Sequence, residues 1–549
     1  MMRNIRHWLW NEVTSDKLSI SLMLGMLIGL TEVFFAISMG SLLFSGELKA
    51  YLPLSIGIAL FTGMIMLVGI SIMGSVPVII GTLQDSPNVI MVIVVSGLVS
   101  SAKNVGLENK LEIVLVTIAI TTLLSGGILL LIGSFKLGGL VRFVPYPVIG
   151  GFIAGTGWLL AQGSFGVMAD YPLAFSNMMA LIQPDQILLW LPGLILALVI
   201  FVGLRRFHSS LVMPAILIGA VLVFYMGLLM TGTSIDQAVN SGLLLGELPG
   251  KMAWQPLNFK SLQNLNWNNI LGQSGNIATI LIISVLGLLL SASAVELATE
   301  KDLDLNRELR VAGVANLLSG LGGGLVGFQS VMLSVLAHRF KAHGRIVGLM
   351  AGAICGLMLF GGARLLTFFP RPILGGLLLY FGLDFLDEWV VRSWSKLSRL
   401  DYSVVILILI VIATTNFLMG VAVGLVATIS LFLFSYSRID VVRHSLSGSQ
   451  LRSNVERLER QKQMLKKIGE HIYIMELQGY IFFGTANALL EQIKTRLTAG
   501  DQLKVLFIIF DFRRVTGLDS SAVFSFVKCR QIAEQQDIKI VLTDVPPGI

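Results

Sequence analysis

Long apolar runs separated by short polar loops occupy the chain up to about residue 437. Because a helix needs roughly 20 apolar residues to cross about 30 Å of hydrocarbon, this pattern predicts membrane spans. The predicted spans form two sets. The first set lies near 18–43, 51–74, 111–135, 145–168, 185–204 and 210–231, and the second lies near 278–298, 308–326, 345–361, 368–386, 402–417 and 418–437.

Two shorter apolar stretches, near 86–100 and 329–338, each follow a turn that contains Gly or Pro. Such stretches are typical of the half-helices that secondary transporters place at the middle of the membrane. Counted as spans 3 and 10, they bring each half of the chain to seven spans. The sequence therefore predicts a polytopic α-helical membrane protein whose transmembrane domain has 14 spans in residues 18–437.

A repeated motif indicates that the two halves are inverted relative to each other. The sequence Phe143-Val-Pro-Tyr-Pro-Val-Ile-Gly-Gly151 recurs as Phe368-Phe-Pro-Arg-Pro-Ile-Leu-Gly-Gly376, and each copy opens the fifth span of its half. An odd number of spans separates the copies, so they enter the bilayer from opposite sides. This predicts a 7+7 inverted repeat of residues 18–231 and 278–437. The alternative is that this motif is simply a common way to begin a membrane helix.

The composition changes sharply at about residue 440. Residues 438–469 carry apolar Val455, Leu458, Leu465 and Ile468 at a helical period among charges, which predicts an amphipathic linker helix. Residues 470–549 alternate short β-rich runs with helical stretches. That alternation predicts a small cytoplasmic α/β domain.

Composition excludes several classes of protein. The chain has 55% hydrophobic and 13% charged residues, far fewer charges than the roughly 25% of soluble domains, so it is not a single soluble enzyme. It contains no Walker-type motif for an ATPase. Cys355 and Cys529 lie far apart in the sequence and predict neither a disulfide framework nor a metal site. No cofactor is expected, apart from Na⁺ or H⁺ as a coupling ion.

The net charge of +7 reflects Lys and Arg in alternate loops and in the C-terminal part, and it requires no nucleic-acid partner. Cytoplasmic loops of membrane proteins are enriched in these residues. The asymmetry predicts a multi-pass protein of the cell (inner) membrane, surrounded by lipid, with both termini in the cytoplasm. Residues 1–17 are then a cytoplasmic N-terminus.

The turns before the two half-helices are the candidate substrate site. The predicted substrate-binding residues are Gln84, Asp85, Ser86, Pro87 and Asn88 in the first turn, and Phe328, Gln329 and Ser330 in the second. Paired half-helices point their N-termini at a shared site. Backbone N–H groups are free there, and each helix end carries about half a positive charge. The alternative is that both segments are ordinary turns between packed helices.

Carboxylates within predicted spans are the candidates for ion coupling. Glu32 lies in the first span, and Glu296 lies near the end of the eighth, close to Ser291 and Ser293. A carboxylate at the bilayer centre costs at least about 2.5–3.5 kcal/mol, so it is retained for a function or a partner. We predict that Glu296, Glu32 and Ser293 bind H⁺ or Na⁺. The alternatives are a structural role for Glu32 and a cytoplasmic position for Glu296.

The residues also resemble a known family. The stretch 304–320, DLNRELRVAGVANLLSG, is similar to the D-x-N-x-E-L…G-x-x-N pattern of SulP (sulfate permease) transporters, which include the solute carrier 26 anion exchangers. The C-terminal part resembles a STAS domain, in which Asp511-Phe512 closes a buried strand and residues 516–522 open a helix. The resemblance covers the whole length of the chain.

This resemblance implies core and gate domains, a cytoplasmic STAS domain and a homodimer. It also implies secondary transport of a small anion such as sulfate, bicarbonate or a dicarboxylate, coupled in some members to H⁺ or Na⁺. In some STAS domains the corresponding loop is phosphorylated or contacts partners, so Ser520 and Ser521 are regulatory candidates. The alternative for both serines is a plain helix N-cap.

The chain departs from the family pattern in its first span, which carries Glu32 in place of Pro-Gln, and in its first half-helix turn, Gln-Asp-Ser-Pro. These features are similar to a divergent branch in which a cyclic-nucleotide-binding domain often follows STAS. Amino-acid substrates, basic ones included, are proposed for that branch. We also expect the STAS domain to be truncated, because the chain stops at Ile549 before its last helix and strand.

Three classes of function stay open from the sequence: a transporter, a channel-like anion conductance and a membrane-bound signalling receptor. Within the transporter class, the half-helix ends favour an anion, whereas Glu32, Asp85 and Glu296 favour a cation or a proton. An amino acid satisfies both, with its carboxylate at the helix ends and its amine at the acids.

Overall fold

The computed structural model describes residues 17–77, 79–102, 106–139, 145–207, 211–246, 254, 267–340, 342, 344–437, 440–451, 455–498 and 504–546. Nearly all of the predicted N-terminal segment 1–17 therefore lies outside the described residues. The chain divides into two compact units, Met1–Leu425 and Val426–Ile549, called the first and second unit below.

The first unit is almost entirely helical. Its helices up to residue 240 are α1 (Leu18–Leu43), α2 (Leu52–Met73), α3 (Asp85–Ser101), α4 (Leu107–Ser134), α5 (Tyr146–Ala169), α6 (Met178–Leu181), α7 (Pro184–Phe207), α8 (Val212–Thr231) and α9 (Ile235–Asn240). The later helices are α10 (Trp267–Leu271), α11 (Ser274–Thr299), α12 (Leu305–Leu321), α13 (Val331–Arg339), α14 (Gly344–Gly361), α15 (Ala363–Leu366), α16 (Arg371–Leu386), α17 (Ser393–Lys396), α18 (Arg399–Thr414) and α19 (Phe417–Ser437). Helix α19 continues into the second unit.

The helix bounds follow the apolar pattern, with local signals at the ends. Among the described residues, eight helices are long and apolar enough to cross a membrane. Helix α12 ends at Leu321, five residues before the predicted bound, because three glycines follow and Gly323 has a φ of 77°. Helix α16 begins at Arg371 rather than at 368, because Pro370 is its N-cap and Pro372 suits the first turn.

The helices of the first unit pack as two bundles. The first bundle contains α1 to α4 and α11 to α14, and the second contains α5, α7, α8, α16 and α18. Close pairs in both bundles meet at glycine. A Cβ on Gly126 of α4 would lie 2.9 Å from the Gly313 carbonyl of α12, and one on Gly157 of α5 would lie 2.8 Å from that of Gly382 on α16. Small residues let membrane helices approach this closely.

A few helix pairs join the two bundles. Helix α1 contacts α16, α5 and α8, and α3 contacts α5. The half-helix α3 follows α1 and α2, and the half-helix α13 follows α11 and α12. Each is therefore the third membrane helix of its repeat, as the sequence predicts. Each follows a three-residue strand, β1 (Gly81–Leu83) or β2 (Gly327–Gln329), which the apolar pattern did not predict.

The second unit contains a four-stranded mixed sheet. Its strands are β3 (Val442–Ser447), β4 (Ile472–Ile481), β5 (Phe507–Leu518) and β6 (Lys539–Thr543), in that spatial order, and its helices are α20 (Glu459–Ile468), α21 (Phe483–Thr498) and α22 (Ser520–Gln535). Strand β3 is antiparallel to β4, while β4, β5 and β6 are parallel. The segment 438–469, predicted as a linker helix, thus also contains strand β3, whose end residue Val442 is buried in the core.

Candidate functional site

The two half-helices start from opposite ends of one short ribbon. Strands β1 and β2 pair antiparallel, with Gly81 opposite Gln329 and Leu83 opposite Gly327. Helix α3 begins two residues after β1, and α13 begins two residues after β2. Because antiparallel strands run in opposite directions, the helices leave the ribbon in opposite directions. Their N-caps, Gln84 and Ser330, are four register positions apart, which is about 14 Å at about 3.4 Å per residue.

Backbone hydrogen bonds extend this pairing past both strands. The Ser330 N–H donates to the Ile80 carbonyl at 2.9 Å, and the Gln84 N–H donates to the Val326 carbonyl at 3.3 Å. The Ile80 N–H donates to Ser334 Oγ at 3.0 Å. The residues that begin the half-helices are thereby tied to the opposite strand.

Two buried asparagine side chains form hydrogen bonds with the backbone at the start of strand β2. Asn88 of α3 donates through Nδ2 to the Val326 carbonyl at 2.8 Å, and its Oδ1 accepts from the Val326 N–H at 3.3 Å. Asn316 of α12 does the same for Gly327, at 2.6 and 3.0 Å. Both side chains are fully buried. Asn88, predicted to bind substrate, is turned toward the protein interior.

A cavity of about 460 Å³ lies beside the half-helix ends. Most of its lining is apolar. Its polar and ionisable lining residues are Thr31, Glu32, Thr82, Gln84, Asp85, Ser86, Thr279, Ser291, Gln329, Ser330, Tyr380 and Asp384. The described residues that line it include three carboxylates and no Lys, Arg or His. We call this space the central cavity.

Glu32 of α1 is 3% exposed, lines the central cavity and links α1 to strand β1. Its carboxylate accepts hydrogen bonds from Thr82 Oγ1 and from the Leu83 N–H, the latter at 3.1 Å. Gly63 of α2 faces it so closely that a Cβ there would lie 3.0 Å from Oε1. All of these neighbours are uncharged, so they stabilise the position of Glu32 without neutralising its charge.

Asp85 and Ser330 begin the two half-helices. Asp85 Oδ1 accepts from the Ser86 N–H at 2.6 Å and from Ser86 Oγ at 3.2 Å. Ser330 is the N-cap of α13, where its Oγ accepts from the Leu333 N–H at 3.4 Å. Gln84 donates through Nε2 to the Phe328 carbonyl at 3.1 Å, which links the two predicted turns directly.

The structure thus brings most of the predicted substrate residues together. Gln84, Asp85, Ser86, Phe328, Gln329 and Ser330 line the central cavity, whereas Pro87 and Asn88 do not. The Gln329 side-chain amide is directed toward Glu308 rather than into the central cavity, since its Nε2 donates to Glu308 Oε2 at 2.5 Å. Glu308 is itself fully buried and also accepts from the Ser75 N–H at 2.6 Å.

Glu296, a predicted coupling residue on α11, does not face the half-helix ends. Helix α11 lines the central cavity at successive turns with Thr279, Ile283, Gly287 and Ser291. Glu296 is five residues beyond Ser291, which turns it about 140° around the helix axis. Neither Glu296 nor Ser293 is among the lining residues. A coupling role for either residue stays a prediction.

Asp384 of α16 is a lining carboxylate that the sequence reading missed. The signal was available, because Asp384 lies in the predicted span 368–386 and is an acid in an apolar run like Glu32. Asp384 lines the central cavity from the second bundle, whereas Glu32 and Asp85 line it from the first bundle.

In the second unit, the two serines predicted to be regulatory lie at the start of α22. Asp519, not Ser520, is the N-cap, since its Oδ1 accepts from the Ala522 N–H at 2.6 Å. Ser520 is exposed. The side chain of Ser521 lies outside the described part of the structure.

Comparison with known proteins yields two family matches. The model described as "Sulfate permease family" matches residues 18–408, and the model described as "STAS domain" matches residues 463–549. The chain is 26% identical over 453 residues to the vacuolar basic amino acid transporter VSB1 of Saccharomyces cerevisiae, which covers 80% of this chain and 44% of that protein. The chain thus spans less than half the length of this yeast relative. It is 23% identical over 438 residues to the bicarbonate transporter BicA of Picosynechococcus sp., covering 76% and 72% of the two chains.

Two solved structures share the fold. Murine Solute Carrier 26 family member A9, an anion transporter in the inward-facing state, superposes with a TM-score of 0.72 at 14% identity, covering 99% of this chain and 88% of that one. The transmembrane domain of a cyanobacterial bicarbonate transporter BicA superposes with a TM-score of 0.56 at 18% identity, covering 75% and 98%. The names of these relatives describe transporters rather than enzymes.

Proposed function

The chain belongs to the sulfate permease family of membrane transporters, and from this premise we propose that it is a secondary transporter of a small anion such as sulfate or bicarbonate. The substrate binds in the central cavity between the N-termini of α3 and α13. The observation that carries this proposal is that two facing half-helix ends open into one cavity. The partial positive charges of these helix ends suit an anion.

Transport is coupled to H⁺ or Na⁺, and Glu32 is the coupling residue that the geometry favours. Its carboxylate lines the central cavity and touches β1, so its charge state and the shape of the site change together. A buried carboxylate with only uncharged partners is stabilised by taking up a proton or a cation. Glu296, with Ser293, is the second candidate, acting away from the cavity.

An amino acid with a cationic group is a second candidate substrate. The specific observation in its favour is that Glu32, Asp85 and Asp384 line the central cavity, while no basic side chain does so among the described residues. The substrate carboxylate would occupy the half-helix ends and its ammonium or guanidinium group would lie near these acids. The name of the yeast relative, a vacuolar basic amino acid transporter, points the same way.

Uptake into proteoliposomes of the full chain tests these alternatives. We expect saturable uptake of one of sulfate, bicarbonate, glutamate or arginine, which is accelerated by a pH gradient or a Na⁺ gradient. Uptake of arginine but not of the anions would select the second candidate. Flux that does not saturate with substrate would indicate a channel, and absence of flux for every solute would favour a signalling receptor.

We also propose that the protein is a homodimer in the cell membrane with both termini in the cytoplasm. The distribution of Lys and Arg among the loops supports this orientation. Glu108 lies in the first turn of α4 and Lys396 at the end of α17, and the sequence predicts these positions on opposite sides of the membrane. Thiol labelling of the Glu108→Cys and Lys396→Cys proteins would report the orientation in intact cells. Labelling of the Glu108→Cys protein alone by an impermeant reagent is the expected result.

A further inference from the structure

A second cavity lies at the other end of the contact between α1 and α16. It measures about 640 Å³ and is lined by Ser41, Phe44 and Ser45 at the end of α1 and by Thr367, Phe368 and Arg371 at the start of α16. We call it the end cavity. The central cavity touches the same two helices elsewhere, at 31–35 of α1 and 380–385 of α16.

The wall between the two cavities contains aromatic contacts between α1 and residues on or next to α16. From Phe35, which lines the central cavity, to Ser41, which lines the end cavity, the rise along α1 is about 9 Å. Phe34 packs edge-on against Phe369, and Phe35 against Phe381, each with ring centroids 5.3 Å apart. In both pairs one ring belongs to α1 of the first bundle and the other lies on or next to α16 of the second.

An ion cluster stands at the end cavity. Arg371 is 5% exposed and binds Asp170 with two hydrogen bonds, from Nη2 to Oδ1 at 2.7 Å and from Nη1 to Oδ2 at 3.1 Å. Its Nε donates to the Val167 carbonyl at 2.9 Å. Lys49 donates through Nζ to both Asp170 oxygens at 2.9 Å. Burial acts to raise the pKa of Asp170, but hydrogen bonds and charges from Arg371 and Lys49 outweigh it and hold that pKa below its usual value.

The two cations of this cluster belong to different bundles. Arg371 starts α16 and Asp170 ends α5, so the bidentate pair between the buried Arg371 and the half-exposed Asp170 lies within the second bundle. Lys49 lies in the 3₁₀ turn Gly46–Tyr51 between α1 and α2 of the first bundle. The side chains of Lys49 and Asp170 are about half exposed, at 51% and 48%. Exposed ion pairs are weak and screened by salt, whereas removing a partner from a buried charge is costly.

From this geometry we propose that the end cavity is the vestibule through which substrate reaches the central cavity, and that the Lys49–Asp170 ion pair is the latch that keeps it closed. The inference rests on the proposed transport function. Substrate passes between the cavities only when α1 and α16 separate at the aromatic wall, and that separation carries Lys49 away from Asp170. Arg371 keeps the Asp170 carboxylate paired and in place when the latch is open.

Thiol labelling of the full chain in intact cells tests the latch without any substrate. Ser41, which is 5% exposed, is replaced by Cys, and the reaction of the Ser41→Cys protein with a membrane-impermeant maleimide is timed. The native cysteines Cys355 and Cys529 are buried and supply the unreactive background. We expect Lys49→Gln to accelerate labelling at position 41 by about two- to fivefold, which corresponds to loss of a half-exposed ion pair. Lys49→Arg should restore the rate of the Ser41→Cys parent.

Lys110→Gln is the matched control. Lys110 pairs with Glu47 at 2.7 Å, two residues from Lys49, but both partners belong to the first bundle. This substitution should leave the labelling rate unchanged. Equal rates in the parent and Lys49→Gln proteins, or equal acceleration by Lys110→Gln, would overturn the latch. Failure of the transport proposal is distinguishable, because it would abolish solute uptake while labelling at position 41 still reported opening.

Discussion

Glu32 is held inside the first unit by hydrogen bonds from Thr82 and Leu83, and it meets no cationic partner among those contacts. Its neighbours therefore orient the carboxylate, but its charge is left to be balanced by a proton or a cation that enters from the central cavity. Glu296 offers a contrast on α11, because it lies off the cavity-lining face of that helix. The two acids can be compared by the same neutral substitution.

Glu32→Gln should reduce uptake driven by an ion gradient by at least about tenfold, as expected when a charge-switching group is lost. Gln keeps the shape of Glu and one of its two acceptor oxygens, so exchange of substrate at equal concentrations should survive. Both rates are measured in proteoliposomes, with Glu296→Gln in parallel. Coupled uptake that survives in Glu32→Gln but fails in Glu296→Gln would assign coupling to Glu296 instead.

Ser330 tests whether the N-terminus of α13 receives the substrate. Ser330→Leu should abolish uptake, because the larger side chain fills the central cavity at the helix end. Ser330→Ala keeps the space and loses only a long 3.4 Å cap hydrogen bond, so it should retain most of the activity. Both proteins should elute from size-exclusion chromatography like the parent. Normal kinetics in Ser330→Leu would remove this helix end from the binding site.

At the scale of elements, the ribbon of β1 and β2 depends on two asparagines from neighbouring helices. A three-residue pair of strands is not stable alone, since isolated two-stranded ribbons are marginal even when longer. Asn88 and Asn316 bind backbone groups at the entry to β2, and Ser334 binds Ile80 before β1. The half-helix ends are therefore positioned by α3 and α12, not by the ribbon alone.

Asn88→Ala and Asn316→Ala should each lower the thermal stability of the full chain in detergent. Asn316→Ala leaves the Gly327 N–H and carbonyl without their side-chain partner, and Asn88→Ala leaves the Val326 N–H without its partner, at about 1–3 kcal/mol for each group. Asn177→Ala is the control, because the Asn177 side chain donates to the Pro172 carbonyl and accepts from Ser176 Oγ at an exposed site. The midpoint of thermal unfolding is the measurement. A shift no larger than that of Asn177→Ala would show that the ribbon holds without the asparagines.

At the scale of the whole molecule, the second unit exposes sheet edges and an aromatic side chain in a part of the chain outside the predicted membrane spans. Strands β3 and β6 are sheet edges in the second unit, and Phe524 of α22 is 69% exposed. Uncovered edges and exposed apolar side chains mark the less stable part of a protein. We expect the second unit to unfold at a lower temperature than the first.

The two native cysteines report on this difference, one from each unit. Cys529 is buried in the core of the second unit, and burial raises its pKa to about 11. The thiol therefore stays protonated at about pH 9, where a free thiol with a pKa of about 8.5 is largely ionised, and should label slowly in the folded protein. On heating, Cys529 should react with maleimide before Cys355, as followed by mass spectrometry. Earlier reaction of Cys355 would contradict the expected order.

The sequence alone determined the features that depend on local pattern. Apolar length predicted the membrane helices, the Gly and Pro turns predicted the two half-helices, and a lone acid in an apolar run identified Glu32. These follow from the sequence because helix period, helix ends and the cost of burying charge are set by neighbouring residues.

Only the tertiary structure decided which side chains meet. It pairs β1 with β2, turns Gln329 toward Glu308, directs Glu296 away from the central cavity and joins Lys49 to Asp170, 121 residues away. The rotation of a helix about its axis and the choice of a distant partner result from packing between helices. A membrane helix that is apolar on every side carries no periodic signal of that rotation, so its sequence does not specify which face lines a cavity.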